Sequence, residues 1–182
     1  MNAIKLNEFN ERIYTIDDIY ALPDGERAEL IDGQIYYMAP PSRTHQRISG
    51  RLYNEISNYI RKNNGSCEIY AAPFAVFLNE NDDKTYLEPD ISVICDIEKL
   101  DEDGCHGAPD WIIEIVSPSS KSRDYIKKMI KYNIAGVREY WIVDYEKCRI
   151  IVYNFERNMM EEYSFGENVP VGIYDKFFIK MQ

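Results

Sequence analysis

Two acidic side chains stand inside apolar segments, where a carboxylate is costly. Glu114 lies in the middle of the segment WIIEIV, and Asp90 follows Pro89 at the start of the segment DISVIC. A buried carboxylate must be paired or protonated, and a second acid nearby makes ionisation still less favourable. A divalent cation would remove both problems, because it neutralises two carboxylates and prefers oxygen ligands. The two acids therefore suggest a metal site, although a half-exposed strand with Glu114 facing water and a turn at Asp90 would explain the same residues.

Basic side chains crowd the segment that follows Glu114. They are Lys121, Arg123, Lys127, Lys128 and Lys131, in a chain whose net charge is −10. Asp124 and Lys128 are four residues apart, and Tyr132 would lie further along the same face of a helix. The simplest interpretation is an ion pair on a solvated helix. A strand–turn–helix unit would instead return the helix alongside the strand of Glu114, so that one lysine would point at whatever the metal binds.

The pattern of apolar residues predicts the elements that would position these side chains. A short helix should follow a capping box at Thr15 and Asp18, and a hairpin should turn at Asp32-Gly33. Apolar residues at three- and four-residue steps then predict an amphipathic helix over residues 44–62.

Strands dominate the rest of the chain. The two acidic strands follow a strand that Pro73 is expected to interrupt, and a second helix should start at Ser120 or Ser122 and stop at Gly136. Further strands are predicted in the segments EYWIVD, RIIVYNF, MEEYSF and KFFIKM. This order predicts an α/β or α+β fold, in which helices pack against a central mixed sheet.

Length, composition and charge restrict the possible functions. The 182 residues, of which 45% are hydrophobic, suffice for one globular domain over residues 1–182. Apolar runs stay far below the roughly 20 residues of a membrane span, and the charged N-terminal segment does not resemble a signal peptide, so we expect a cytoplasmic protein with no membrane partner. Because a net charge of −10 repels nucleic acid on average, a phosphate-binding function would need a local basic patch or bound cations.

The cysteines are widely spaced and include no C-x-x-C pair. Cys67, Cys95, Cys105 and Cys148 are therefore expected to be free thiols in a reducing compartment. Cys105 is next to His106, but the chain has only two histidines and no second pair of ligands, which argues against zinc.

Taken together, these features resemble the PD-(D/E)XK nuclease superfamily, in which a Pro-Asp pair is followed by an acid within a strand and then a lysine. The chain is more closely similar to the Uma2 family of restriction-endonuclease-like proteins. The matching segments span about residues 28–144 and are, in order, AELIDGQIYYMAPPSRTHQ, EPDISVI, GAPDWIIEIVSPSS, RDYIKKMIKY and GVREYWIVD. The resemblance implies a restriction-endonuclease-like fold and a hydrolase whose substrate is DNA.

One position departs from the superfamily pattern. The superfamily lysine lies two residues after the strand acid, where this chain has Val116. In sequences similar to Uma2, a lysine of the following helix takes its place in a D-x-x-x-K-x-x-x-Y pattern, which matches Asp124, Lys128 and Tyr132. The resemblance therefore implies that Lys128 serves the site, with Lys127 as the alternative if the helix has a different phase.

Three further residues are candidates. Glu29 matches a glutamate of the family pattern and would add an acid to the site, unless it only borders the hairpin. His45 matches a position that is often histidine in the family, and a helix N-terminus near Arg43 would favour an anion there, unless His45 is simply an exposed first-turn residue. Ser117 opens a turn that caps the second helix, and its hydroxyl is a possible phosphate contact.

The resemblance also implies a mechanism. Asp90, Glu114 and the backbone carbonyl of Ile115 would hold Mg²⁺ or Mn²⁺, because an all-oxygen ligand set suits a hard cation. Lys128 would orient or deprotonate the attacking water, or stabilise the transition state. As a base it would need a lowered pKa, which its lysine neighbours would favour.

Three functions remain open at this point. The first is a metal-dependent endonuclease that cleaves DNA, and the second is a nuclease-like module that binds or regulates without cutting. The third is a metal-dependent hydrolase of another substrate. A tyrosine-rich, apolar sheet would also support a homodimer, with an interface that the sequence does not define.

Overall fold

The computed structural model describes residues 12–79, 81–116 and 123–182. The α-helices in this part of the chain are α1 (Ile16–Tyr20), α2 (Arg43–Lys62) and α3 (Met129–Ala135). The strands are β1 (Ala28–Ile31), β2 (Gln34–Tyr37), β3 (Glu68–Ala71), β4 (Val76–Phe77), β5 (Ile91–Ile94), β6 (Cys105–His106), β7 (Trp111–Ile115), β8 (Glu139–Asp144), β9 (Arg149–Asn154), β10 (Met159–Ser164), β11 (Val169–Pro170) and β12 (Phe178–Ile179). A 3-10 turn (Ile97–Lys99) and a π-helical turn (Arg123–Lys128) complete the list of elements.

The centre of the fold is a six-stranded mixed sheet with the strand order β10-β9-β8-β7-β5-β3. Strands β7 and β8 are parallel, and the other neighbours in this sheet are antiparallel. A parallel pair needs a crossover connection, and the π-helical turn with α3 lies on this connection between β7 and β8. The predicted α/β fold with a central mixed sheet is therefore confirmed.

Strand β7 lies inside the sheet, and helices cover it on both faces. Trp111, Ile113 and Ile115 pack in one apolar cluster with the buried face of α2, which includes Leu52. The opposite face carries a second cluster, in which Ile112 and Val116 of this segment pack with Tyr132 of α3. The alternation of side chains along the strand explains this division.

The N-terminal hairpin forms as its turn chemistry predicts. Strands β1 and β2 pair antiparallel around Asp32 and Gly33, whose φ angles of 51° and 75° match a type I′ turn. Two hydrogen bonds join Leu30 to Tyr86, with N···O distances of 2.8 and 2.9 Å, and tie the hairpin to the segment that leads into β5. Helix α1 carries the predicted capping box, in which the Thr15 N–H donates to Asp18 at 3.0 Å.

The helical segment after β7 differs in detail from the prediction. Arg123–Lys128 forms a π-helical turn before α3 begins, and Gly136 ends the helix in the left-handed conformation, with φ of 93°. The proposed caps Ser120 and Ser122 lie outside the described residues. None of the described helices is both long and apolar enough to cross a bilayer.

The prediction of four free thiols is wrong for one pair. Cys67 and Cys95 form a disulfide, because the antiparallel pairing of β3 with β5 places the residue before one strand opposite the residue after the other. Cys105 and Cys148 are free thiols. His106 pairs with Asp101, with an N···O distance of 3.1 Å.

Candidate active site

Seven of the residues singled out in the sequence line one cavity of about 290 Å³. They are Glu29, His45, Asp90, Glu114, Ile115, Asp124 and Lys128. Five separate parts of the chain supply them: the hairpin, the first turn of α2, the start of β5, strand β7, and the helical segment after β7. The fold therefore brings together residues that are far apart in the sequence.

The pairing of β5 with β7 explains why the two strand acids are neighbours. Ile91 lies opposite Ile113 in the antiparallel register, so extending the register by one position sets Asp90 opposite Glu114. Side chains on directly opposite residues of an antiparallel pair are close enough to interact. The charge of Asp90 accordingly contributes to the raised pKa of Glu114.

Glu114 is buried and does not face water. Its side chain is 5% exposed, so the alternative of a half-exposed strand is wrong. The hydroxyl of Tyr132 donates to its Oε1 at 2.8 Å, and Nζ of Lys128 donates to the same oxygen at 2.7 Å. Burial raises the pKa of Glu114 well above its usual range, and nearby carboxylates add to this rise, while Lys128 opposes it.

Lys128 is the cation at the centre of the site. Its Nζ lies 2.7 Å from Oε1 of Glu29, 2.7 Å from Oε1 of Glu114 and 3.5 Å from Oδ1 of Asp124. Burial by itself would lower the pKa of Lys128, but the three carboxylates outweigh burial and raise it above its usual value. The expectation of a lowered pKa is therefore wrong, because carboxylates and not the neighbouring lysines surround the ammonium.

Asp90 is held by a side chain and by the backbone. Its Oδ2 accepts a hydrogen bond from the Ile115 N–H at 2.7 Å and lies 3.1 Å from Nε2 of His45. Burial tends to lower the pKa of His45, but the hydrogen bond and charge of Asp90 raise it overall. His45 is thus partly buried against a site acid and is not an exposed first-turn residue; Ser42 caps the helix at the His45 N–H.

Glu29 is more than an edge residue of the hairpin. It is fully buried, and its Oε1 accepts a hydrogen bond from the backbone N–H of Glu88 at 3.1 Å besides the contact with Lys128. The Glu88 carboxylate itself accepts hydrogen bonds from Nε of Arg27 at 2.9 Å and from the hydroxyl of Tyr86 at 2.9 Å.

Arg27 and Glu88 also line the cavity, and the sequence reasoning did not identify them. A signal was available, because Arg27 is two residues before Glu29 and Glu88 is two residues before Asp90. Alternation along an extended chain places such pairs on one side. Their ion pair joins residues 61 positions apart, which is not visible in a linear pattern.

One of the proposed substrate contacts, Lys127, is not part of this cluster. Lys127 is exposed and donates to the hydroxyl of Tyr36 and to Gln34, so it binds the hairpin. The helix phase therefore directs Lys128, and not its neighbour Lys127, towards the acids. Ser117 lies outside the described residues.

Val116 occupies an apolar position. It is fully buried in the cluster that includes Ile112 and Tyr132. The lysine that the superfamily pattern has at this point is absent, and Lys128 reaches Glu114 from the neighbouring helix instead. That Lys128 takes the role of the superfamily lysine stays a prediction.

The fold and the site define a restriction-endonuclease-like α/β protein. A similar fold occurs in the crystal structure of a putative nuclease belonging to DUF820 from Anabaena variabilis ATCC 29413. The TM-score is 0.74 and the sequence identity 22%, and the match covers 91% of this chain and 94% of that chain.

The sequence also identifies the family. The family model Uma2, described as "Putative restriction endonuclease", matches residues 16–173, and the chain belongs to this family. A relative from Synechocystis sp., "Uncharacterized protein slr1290", is 29% identical over 130 residues, or 71% of this chain. The match spans 66% of the length of that relative. The predicted family and fold are thus confirmed, and the family supports a nuclease function.

Proposed function

We propose that this protein is a metal-dependent endonuclease that hydrolyses phosphodiester bonds of DNA. The observation that carries the proposal is the meeting of Asp90, Glu114 and Lys128 in one cavity, with Glu29 behind the lysine. Membership of the Uma2 family supports the class of reaction. DNA as the substrate and a divalent cation as the cofactor are parts of the proposal.

The ligand set suits Mg²⁺ or Mn²⁺. Asp90, Glu114 and the Ile115 carbonyl would offer oxygen ligands only, and Mg²⁺ is commonly bound by one or two carboxylates plus water and substrate phosphate. The described residues include no group of three or more His, Cys, Asp or Glu side chains placed to hold a metal ion, so water and substrate would have to complete the ligand set. When bound, the ion would supply Lewis-acid polarisation of a phosphoryl oxygen and would acidify water.

The charge on Lys128 decides which of its proposed roles is retained. A lysine with a raised pKa stays protonated at neutral pH, so it does not act as the base. A fixed ammonium in a buried site instead stabilises negative charge that develops on the phosphoryl group. Glu29 and Glu114 hold its Nζ from two sides and so orient it.

His45 and the Ile115 N–H bind Asp90, the second acid of the site. Both bind Oδ2 of Asp90 and fix the direction of its carboxylate. Loss of a group that orients a metal ligand in this way typically lowers metal affinity or activity by about 10–100-fold. We therefore assign His45 as a positioning residue for Asp90.

A specific observation favours a second candidate, a nuclease-like module that binds without cutting. The ammonium of Lys128 already pairs with both Glu29 and Glu114, which reduces the need of these carboxylates for a metal cation. Cleavage and metal binding distinguish the two candidates.

The test is cleavage of supercoiled plasmid DNA with Mg²⁺ or Mn²⁺, together with calorimetric titration of Mn²⁺ into the protein. We expect nicking that Asp90→Ala or Glu114→Ala abolishes, with weaker Mn²⁺ binding in both variants. Glu161→Gln, a change of one exposed acid on β10, is the matched control and should cleave normally. Absence of both Mn²⁺ binding and cleavage in the wild type would leave only the second candidate. Mn²⁺ binding with intact DNA would point to a hydrolase of another substrate.

A further inference from the structure

We propose that the outer face of α2 binds the phosphodiester backbone of the nucleic-acid substrate and leads it to the cavity. The inference rests on the proposed function, because it names the surface that would hold the substrate of that site.

Helix α2 is basic in an acidic protein. Its 20 residues carry five arginine or lysine side chains and a single acid, a net charge of +4, whereas the whole chain has a net charge of −10. The single acid, Glu55, forms an ion pair with Arg51, in which Nε of the arginine lies 2.9 Å from Oε1 of the glutamate. A basic surface on an acidic protein attracts a polyanion locally, which is what a protein of this charge needs in order to bind nucleic acid.

The basic residues of the outer face are spaced to follow a strand of nucleic acid. Arg43, Arg47 and Arg61 are all exposed and recur at helical intervals along one side. Neither Arg43 nor Arg47 has an acidic partner within ion-pair distance among the described residues. At about 1.5 Å per residue, the distance along the helix from Arg43 to Arg61 is about 27 Å. This length corresponds to about eight phosphates of one strand along a duplex axis.

Gly50 gives an independent indication of close approach. It lies in the middle of α2 on the same exposed face, where glycine destabilises a helix relative to alanine. Packing does not require it, since a Cβ at this position would meet no described atom within 4 Å. A glycine that internal packing does not explain is what a ligand lying against the helix backbone would favour.

The position of the helix connects this face with the site. The N-cap Ser42 lines the cavity, and so do Gln46, Ser49 and the Asp90 partner His45 from the N-terminal half of the helix. Gln46 is exposed and lies beside Arg43, at the border of the outer face. A backbone held along α2 would therefore reach the cavity at the end of the helix that carries His45.

The test compares two double variants of the full chain by fluorescence anisotropy with a labelled DNA duplex, at several salt concentrations and without a divalent cation. Arg43→Gln/Arg47→Gln removes two charges from the proposed surface. Arg157→Gln/Lys176→Gln removes the same charge from two exposed residues that line a different cavity and serves as the control. We expect the α2 variant to bind at least about tenfold more weakly and to lose about 2 from the slope of log K against log salt, since each phosphate contact contributes about 0.9.

Additional measurements distinguish the possible outcomes. Gly50→Gln should weaken DNA binding while circular dichroism shows an intact helix, and a labelled RNA duplex and poly-glutamate distinguish nucleic acids from other polyanions. Equal affinity of the two double variants for DNA, or poly-glutamate bound as tightly as DNA, would overturn the inference. A wild type that binds through α2 but does not cleave would refute the proposed function and leave this surface standing. Full cleavage by the Arg43→Gln/Arg47→Gln variant would refute this surface and leave the proposed function standing.

Discussion

Replacing Lys128 by methionine tests whether an internal ammonium neutralises this site. Methionine has a similar length and no charge, so the change leaves the carboxylates of Glu29, Glu114 and Asp124 facing each other. These three side chains and Lys128 are each at most 5% exposed, so water screens the remaining carboxylates only weakly. Removing one partner of a buried ion pair costs about 3–5 kcal/mol. That is a large part of the about 5–15 kcal/mol by which a typical domain is stable.

The cost should depend on pH in a direction that the site dictates. Burial already raises the pKa of Glu114, and loss of the ammonium would raise it further. An acid with a raised pKa in the folded state contributes stability that is present below its unfolded pKa and is lost as pH rises through the folded pKa. We therefore expect Lys128→Met to be less destabilising at about pH 5 than at about pH 8, because the carboxylates take up protons at the lower pH.

Urea unfolding followed by circular dichroism at both pH values measures the difference. Lys127→Met is the matched control, since it removes an exposed lysine of the same helical turn that contacts the hairpin. The control should change the free energy of unfolding by about 0.5 kcal/mol or less. The reasoning fails if Lys128→Met is no more destabilising than this control at about pH 8, or if its cost is the same at both pH values.

Two more substitutions address single hydrogen-bonded groups. Tyr132→Phe removes the hydroxyl that donates a hydrogen bond to Glu114 at 2.8 Å. Urea unfolding should show a loss of stability of about 1.5–3 kcal/mol. An unchanged free energy of unfolding would show that the carboxylate does not need this hydroxyl. Glu139 is fully buried on β8, and burial, against hydrogen bonds from Trp141 and Ile173, raises its pKa from 4.5 to about 7. The wild type should therefore lose about 3 kcal/mol of stability as pH rises through this range, whereas Glu139→Gln should lack this slope in unfolding experiments across the same pH values.

Local patterns were enough to predict most of the fold. The hairpin at Asp32 and Gly33, the amphipathic helix α2 and the strand break at Pro73 depend on turn chemistry and periodicity, which act within a few residues. The cluster of Asp90, Glu114 and Lys128 was also expected, because consecutive elements of an α/β fold tend to be neighbours in space. The roles of these residues remain predictions.

The remaining features depend on contacts between distant parts of the chain. The raised pKa of Lys128 depends on Glu114 and on Glu29, which lies 99 positions earlier, and helical neighbours alone pointed in the wrong direction. The disulfide of Cys67 with Cys95 depends on the register of β3 against β5. Alternation along a strand likewise could not decide whether Glu114 faced water, because that depends on what covers each face of the sheet.

Val116 offers a final test of how the lysine of the site is supplied. Val116→Lys restores the superfamily spacing, but its side chain would enter an apolar cluster, and its ammonium would be a second cation beside a carboxylate that Lys128 already contacts. We expect a loss of stability of about 3 kcal/mol or more and no gain in cleavage. The double variant Val116→Lys/Lys128→Met would again have one ammonium near Glu114, so it should be more stable than the sum of the two single changes predicts, by about 1 kcal/mol or more. Strictly additive losses would mean that the two positions do not serve the same carboxylate, and the view that Lys128 stands in for the missing lysine would then have to be abandoned.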